Sequence, residues 1–479
     1  MKRMFVVFLL SVFFLQHPLC VAQEQEPNYA LKLCQLLVDG RCMEARDMYE
    51  QHHDIIMQHA EKIIKNRIVI DLFYKSFMAL FFNKTDTASF YLEKILSNPD
   101  YQFQIGTVSS VLFDILLKLY IDKQQFEAGI KLCNGMIDFY KRNPFNFDEK
   151  MISNKIHFAD STISSLKRSA NNEPLIKLER LSTIKDSVIH LKESHYIRFD
   201  AKYNGLQIET WFETNNYYFI LTQDLAKKIG VKVINDNQEK KDWMINNVPV
   251  KVYEGIIDTV DILNIRIINV PVLVYNDINE LHMTETIFDS DSNKSERLFK
   301  DKQISMGLAA MKLIGKFELD WNKNTIYFPD EKRESKTDNA YSNIFFVFHS
   351  LFTHLKINEL YFSGLLESGN NEFINISSSF YEKNKSNFEI DSVMIKKSLK
   401  YSSSPTWGGT TLSIPYNYAT NANVFFNNKI ITHDIREVGI KDIATIFNSL
   451  DGNIGSRFLK RLNSKIIIDF DNMEIRILD

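Results

Sequence analysis

Apolar residues recur at helical spacing through the first third of the chain. Leu31, Cys34, Leu37 and Val38 fall on one face before Asp39-Gly40 breaks the run. Similar runs over residues 43–60, 68–82, 88–96, 111–120 and 126–140 predict helices separated by short polar turns. Near His195 the period shortens to that of a strand. Residues 197–202 alternate, Tyr203-Asn204-Gly205 carries an Asn-Gly hairpin signal, and 206–212 reads as the returning strand. Strand-like runs continue over 248–253, 256–263, 267–275 and 316–328. A polar stretch at 331–342 then reads as a linker, and β-rich sequence resumes over 343–479.

The two β-rich stretches repeat one another. Glu213-Thr214-Asn215-Asn216 matches Glu367-Ser368-Gly369-Asn370 at an offset of 154 residues. Met306-Gly307 matches Ile454-Gly455 at 148, and Asp320-Trp321 matches Asp469-Phe470 at 149, as does Ile326 with Ile475. Anchors in the same order with so little drift mean two copies of one domain related by a pseudo-twofold axis. A cleft between such copies suits an extended ligand. The expected layout is an α-helical domain over 28–171, lobe 1 over 195–330, the linker, and lobe 2 over 343–479.

Composition narrows the function. The 479 residues carry a net charge of −3 with basic residues spread along the chain, so no nucleic-acid footprint is present. The basic start Lys2-Arg3, an apolar run over 4–15 and the small residues around Cys20-Val21-Ala22 read as a signal peptide over 1–22, which predicts export to the periplasm or the medium. A lipid anchor on Cys20 is the competing reading of this segment, disfavoured by His17 and Leu19. No later segment is long and apolar enough to span a membrane. Cys34, Cys42 and Cys133 remain; buried free thiols are favoured over a Cys34–Cys42 bridge across the first hairpin.

Several chemical signals are explained by ordinary structure. Asp289, Asp291 and Asn293 begin like a calcium loop, but Lys294 and Lys300 stand where such a loop needs Gly and Glu. His52, His53 and His59 lack the helix-spaced Glu of a metallopeptidase and read as surface residues. Asp320 and Asp469 recur because they open hairpin turns.

The repeated elements resemble those of the retropepsin and pepsin superfamily of aspartic peptidases. In that family each lobe has a strand leading into Asp-Thr/Ser-Gly, and near its end an apolar-apolar-Gly element. Here lobe 1 reads Phe212-Glu213-Thr214-Asn215-Asn216, then Phe219-Ile220 and a helix-like Leu225–Gly230 run; lobe 2 reads Leu366-Glu367-Ser368-Gly369-Asn370, then Phe373-Ile374. The closing elements are Ile304-Ser305-Met306-Gly307 and Gly452-Asn453-Ile454-Gly455. The resemblance implies an all-β, two-lobed, pepsin-like body behind the helical domain, an α + β multidomain protein. It places Glu213 and Glu367 at the catalytic-aspartate positions, supported by Thr214, Asn215, Ser368 and Gly369. Trp243, Trp407, Gly408 and Gly409 fall where flap or cleft-lining residues are expected, with core packing the equal alternative for the two tryptophans.

In that family two close carboxylates share one proton; one activates water as the other protonates the substrate carbonyl. The Thr or Ser of each triplet bonds across the axis, and the Gly permits close approach and an unusual φ. Both carboxylates are kept here on side chains one methylene longer, about 1.5 Å of extra reach, where a misplacement of about 1 Å can cost about 100-fold. Asn215 replaces a glycine, and Asn tolerates left-handed backbone better than most residues. Three readings stay open: a peptidase with a Glu dyad, an inactive relative that binds polypeptide, and a structural protein whose helical domain engages a partner. The helical hairpins loosely resemble tetratricopeptide pairs without their consensus. Polypeptide is the implied ligand, the body is expected to act as a monomer, and no metal or organic cofactor is implied, because carboxylates and water suffice.

Overall fold

A computed structural model describes residues 28–478 apart from 65–66, 143–144, 146, 173, 182–187, 193–195, 215, 235–240, 246–247, 276–303, 330–341, 348, 371, 391–399, 406–410, 432–437 and 442–449; along 241–251 and 400–417 the backbone alone is described. The signal-like segment, the calcium-like run, the linker up to residue 341, Asn215, Trp407, Gly408 and Gly409 therefore lie outside the described residues, as does the side chain of Trp243. Two compact units divide at Leu175 and Ile176.

The first unit is a bundle of helices: α1 (Tyr29–Val38), α2 (Cys42–Ile64), α3 (Arg67–Phe81), α4 (Thr85–Leu96), α5 (Pro99–Ile105), α6 (Val108–Asp122), α7 (Phe126–Arg142) and α8 (Glu149–Asn172). Asn28 caps α1, its Oδ1 accepting from the amides of Ala30 and Leu31 at 3.1 and 3.2 Å. Of the apolar stripe read from the sequence Cys34 and Leu37 are buried, while Leu31 and Val38 are only half-buried; Ala30 and Leu33 complete the inner face. Gly40 then takes φ 72° and turns the chain into α2. The stretch between the runs 88–96 and 111–120, read as a turn, holds α5: Asn98 caps and Pro99 sits at the first helical position, where its missing N–H costs nothing. His53 is exposed, while His52 and His59 are half-buried and pack on Tyr29, whose amide donates to His59 Nδ1 at 3.1 Å. No single described helix is long and apolar enough to cross a membrane.

The second unit carries β1 (Lys177–Arg180), β2 (Ile189–His190), β3 (Arg198–Tyr203), β4 (Leu206–Phe212), β5 (Phe219–Thr222), β6 (Lys232–Val233), β7 (Lys241–Ile245), β8 (Val248–Ile262), β9 (Ile265–Tyr275), β10 (Ile304–Met306), β11 (Lys316–Asp320) and β12 (Thr325–Tyr327) in its first half. The second half carries β13 (Ile344–Val347), β14 (Ser350–Ile357), β15 (Leu360–Glu367), β16 (Ile374–Ser377), β17 (Lys400–Pro405), β18 (Thr411–Ala419), β19 (Val424–Phe426), β20 (Lys429–Ile430), β21 (Val438–Lys441), β22 (Gly452–Gly455), β23 (Lys465–Asp469) and β24 (Glu474–Leu478). Strands β1 and β2 precede the change of pattern at His195, because they add to the sheet edges at β9 and β12.

Lobe 1 runs β9-β5-β10-β4-β3-β8, and β8 pairs back on β9, which closes a barrel. Lobe 2 repeats the circuit as β21-β16-β22-β15-β14-β19, with β18 and β19 in place of the continuous β8. Gly255 does not end a strand, as its position between two apolar runs suggests. It lies inside β8 because a Cβ there would come within 2.4 Å of Val231 Cγ1. The hairpin turn forms as read, with Asn204 at φ 48° and Gly205 at φ 85°. Asn204 exchanges backbone and side-chain bonds with Thr259, and its counterpart Asn358 does the same with Asn423.

A further five-stranded sheet, β2-β12-β11-β23-β24, joins the lobes. In it Lys316 faces Asp469, Asp320 faces Lys465, and Glu318 faces Ile467. At the repeat offset of 149, Lys316 corresponds to Lys465 and Asp320 to Asp469, so each strand meets the copy of its own opposite end. Glu318 and Ile467 are counterparts of one another, and the pseudo-twofold axis passes between them. Lys465 Nζ lies 2.7 Å from Glu318 Oε1. Asp469 Oδ1 accepts from the amides of Asp471 and Asn472, and Asp320 Oδ1 from that of Lys323, so both aspartates build turns.

Phe317 on β11 is fully buried and contacts Phe212 and Phe328 of lobe 1 and Phe470 of lobe 2. Phe317→Ala is expected to cost about 3–5 kcal/mol in urea unfolding, the loss of a large buried aromatic. The cysteines Cys34, Cys42 and Cys133 are free and buried. Burial pushes the Cys34 thiol up to about 12 and that of Cys133 up to about 11. Both are raised above the unfolded value of about 8.5, so their contribution is full below that pH and lost as pH rises through the folded values. Stability should therefore fall between about pH 9 and 12, and thiol alkylation at neutral pH should require denaturant, read by mass spectrometry.

Candidate functional site at the interlobe loops

Each lobe builds its loop the same way. Strand β10 inserts in parallel beside β4, pairing Trp211 with Ser305 and Phe212 with Met306, while its other edge pairs with β5. In lobe 2, β22 lies beside β15 with Leu365 opposite Asn453 and Leu366 opposite Ile454, and beside β16. Glu213 directly follows β4, and Glu367 is the last residue of β15. Gly307 and Gly455 let the loops beyond them lie against the strand ends: a Cβ at Gly307 would be 2.6 Å from the carbonyls of Asn216 and Tyr218, and at Gly455 2.2 Å from that of Glu372. The barrel register pairs Phe219 with Val272 in lobe 1 and Ile374 with Val438 in lobe 2. Ile374, not Phe373, therefore corresponds to Phe219, and the second loop is one residue longer.

The two loops hold each other across the axis. Thr214 Oγ1 donates to the Leu366 carbonyl at 2.5 Å and accepts from the Ser368 amide at 2.9 Å. Ser368 Oγ donates to the Phe212 carbonyl at 3.2 Å and accepts from the Thr214 amide at 2.9 Å. Both residues are 1% exposed. Each hydroxyl thus satisfies one donor and one acceptor of the opposite lobe where water does not reach. Gly369 is half-buried and is not among the described glycines with positive φ, so a left-handed turn is not what it supplies.

The glutamates are held within their own lobes. Glu213 is 2% exposed, and its Oε2 accepts from Ser305 Oγ at 2.7 Å and from Asn216 Nδ2 at 2.9 Å. Asn216 Nδ2 also reaches Ser305 Oγ at 3.0 Å, which closes a triangle. Glu367 is half-buried, and its Oε2 accepts from Asn453 Nδ2 at 3.1 Å and Asn370 Nδ2 at 3.4 Å. Ser305 and Asn453 occupy matched positions in β10 and β22, as do Asn216 and Asn370 in the loops. Sequence reasoning passed over Ser305 and Asn453 as partners of the glutamates. The available signal was a polar residue at the same position of two otherwise apolar closing strands. It also passed over Glu372, whose lobe 1 counterpart is Tyr218 and which therefore leaves no mark in the repeat. Among the described residues no cluster of His, Cys, Asp and Glu is arranged to hold a metal ion.

Comparison with protein-family models finds no match, and comparison with curated proteins finds none either. Among solved structures, the chain is similar to a retropepsin-like aspartic protease from Rickettsia conorii, with 16% identity over 32% of this chain and 89% of that one, at a TM-score of 0.19. It is also similar to basic 7S globulin from soybean, with 8% identity over 63% of this chain and 93% of that one, at a TM-score of 0.33.

Removing the Thr214 hydroxyl leaves a buried carbonyl and a buried amide unpaired. Thr214→Val is expected to cost about 2–6 kcal/mol, and Thr214→Ser, which keeps the hydroxyl, about 1 kcal/mol or less. A double-mutant cycle with Ser368→Ala, followed by urea unfolding, should show strong coupling between the two sites, because each hydroxyl accepts from the amide of the other residue.

Proposed function

We propose that the two-lobed unit is an aspartic-peptidase-like body that binds an extended polypeptide between its lobes without hydrolysing it. The observation that carries this reading is the bonding of the glutamates. Each Oε2 is committed to two neutral donors of its own lobe, at matched positions. A peptidase dyad uses its carboxylates toward each other and toward a water, sharing a proton across the axis. Here one oxygen of each carboxylate is taken up by such lateral bonds. The barrel strands leave a binding mode based on main-chain pairing with an extended ligand.

The second reading, a working Glu dyad, is favoured by the complete hydroxyl exchange between Thr214 and Ser368, since that exchange fixes both loops in register. In either case the site of action is outside the cytoplasm, on the reading of residues 1–22 as a signal peptide. The helical unit serves as a docking surface for a protein partner, and the body acts as a monomer without metal or cofactor.

The test is a diverse labelled peptide library offered to the mature protein from about pH 3 to 8, the range in which coupled carboxylates titrate, with Glu213→Gln and Glu367→Gln alongside. Binding without cleavage at every pH is expected. Cleavage that vanishes in both variants would instead establish the dyad, and a folded protein that neither binds nor cleaves would leave the structural role.

A further inference from the structure

The histidines of α2 take no part in the interlobe site, yet one of them holds the start of α1. A helix opens with amides that have no partner inside it. In α1, Asn28 satisfies two of these, its Oδ1 accepting from the amides of Ala30 and Leu31. The amide of Tyr29, the first residue of the helix, donates instead to His59 Nδ1 at 3.1 Å. His59 is thus a second cap, supplied by the neighbouring helix.

Helical dihedrals lapse inside α2 at His52, with φ −126° and ψ 22°. His52 lies at this bend and His59 beyond it, and their ring centroids are 4.7 and 6.1 Å from that of Tyr29. The charged and titratable groups around His59 are few. Helix α1 brings Tyr29 and the exposed Lys32, and α2 brings His52 and the exposed Lys62. On α3, Asp71 is taken up by Tyr49 and Lys75, and Arg67 lies 4.0 Å from Glu61 of α2. Among the described ion pairs, the histidine beside a carboxylate is His53, on Asp54, and not His59.

We propose that His59 is a pH-sensitive latch on α1. Its bond to Tyr29 uses the lone pair of Nδ1, so the ring is neutral with its hydrogen on Nε2. Protonation puts a hydrogen on both ring nitrogens. Nδ1–H then meets the N–H of Tyr29, donor against donor, and the new positive charge sits at the positive end of the helix. The latch is therefore closed above the ordinary imidazole range, about pH 6.5, and opens as pH falls through it. His59 is half-buried, so protons reach it. What acid loosens is the helix whose inner face is Ala30, Leu33, Cys34 and Leu37. His52 differs: it meets Tyr29 ring to ring, and a cation beside an aromatic ring is favourable.

The experiment is amide hydrogen exchange of the full chain, read by mass spectrometry at about pH 7.5 and about pH 5, on either side of the imidazole range, with rates corrected for the intrinsic effect of pH. Protection over residues 28–38 is expected to fall about tenfold at the acid pH, the scale of one lost hydrogen bond, while α6 keeps its protection. His59→Gln, whose side-chain oxygen accepts at every pH, should hold α1 protected at both values. His59→Leu should leave it loosened at both, and His52→Gln should keep the pH dependence of the parent chain. Equal protection of α1 at the two pH values in the parent chain overturns the proposal. So does a fall that survives in His59→Gln, full protection in His59→Leu, or a loss shared equally by α6, which marks general acid unfolding.

Discussion

The exchange of hydrogen bonds between Thr214 and Ser368 is the constraint from which the rest of the site follows. The amides of Thr214 and Ser368 lie just past the ends of β4 and β15, and both residues are almost wholly buried. An amide or carbonyl left unpaired in such a place costs more than the bond itself returns. The two lobes therefore have one arrangement in which all four groups are satisfied. That arrangement fixes Glu213 and Glu367, which directly precede the two hydroxyl residues, and hence the carboxylate positions on either side of the axis.

The sheet that joins the lobes and the aromatic packing around it reinforce the same symmetry. Phe317 leaves lobe 1 on β11 and meets Phe470 after β23, while Phe212, which leads into the first loop, packs on Phe317. Core and site are thus one structure: the residue beneath the glutamate is part of the aromatic cluster that spans both halves. Movement of either lobe strains the core as well as the loops, since close-packed interiors deform little.

Much of this was legible in the sequence, and for identifiable reasons. The repeat is visible because its anchors are special-purpose residues: Thr214 and Ser368 supply hydroxyls, Gly307 and Gly455 supply absent side chains, and Asp320 and Asp469 build turns. Asn204-Gly205 announces its hairpin because few other pairs tolerate two positive φ values. What stayed hidden is tertiary. Gly255 looks like a break until Val231 is known to fill the space above it. The stretch holding Pro99 reads as a turn until Asn98 is seen to cap the helix there. The extra residue in the second loop shows only in the strand register that pairs Ile374 with Val438. Ser305 and Asn453 differ from each other and gain meaning only when β10 and β22 are known to lie beside the glutamate loops. Glu372 has no carboxylate counterpart, so self-comparison passes over it.

The pairing of β11 with β23 has one more implication. A strand that meets its own repeat in antiparallel register, with Glu318 opposite Ile467 on the axis, presents an edge complementary to itself, as in the interface of a symmetric dimer. Such an edge carries nothing that distinguishes the copy in its own chain from the same copy in a neighbouring molecule. What selects the intramolecular partner is the covalent connection, which holds the two edges at a far higher effective concentration than molecules in solution provide. Chain connection is in this sense what turns a self-complementary edge into an internal joint.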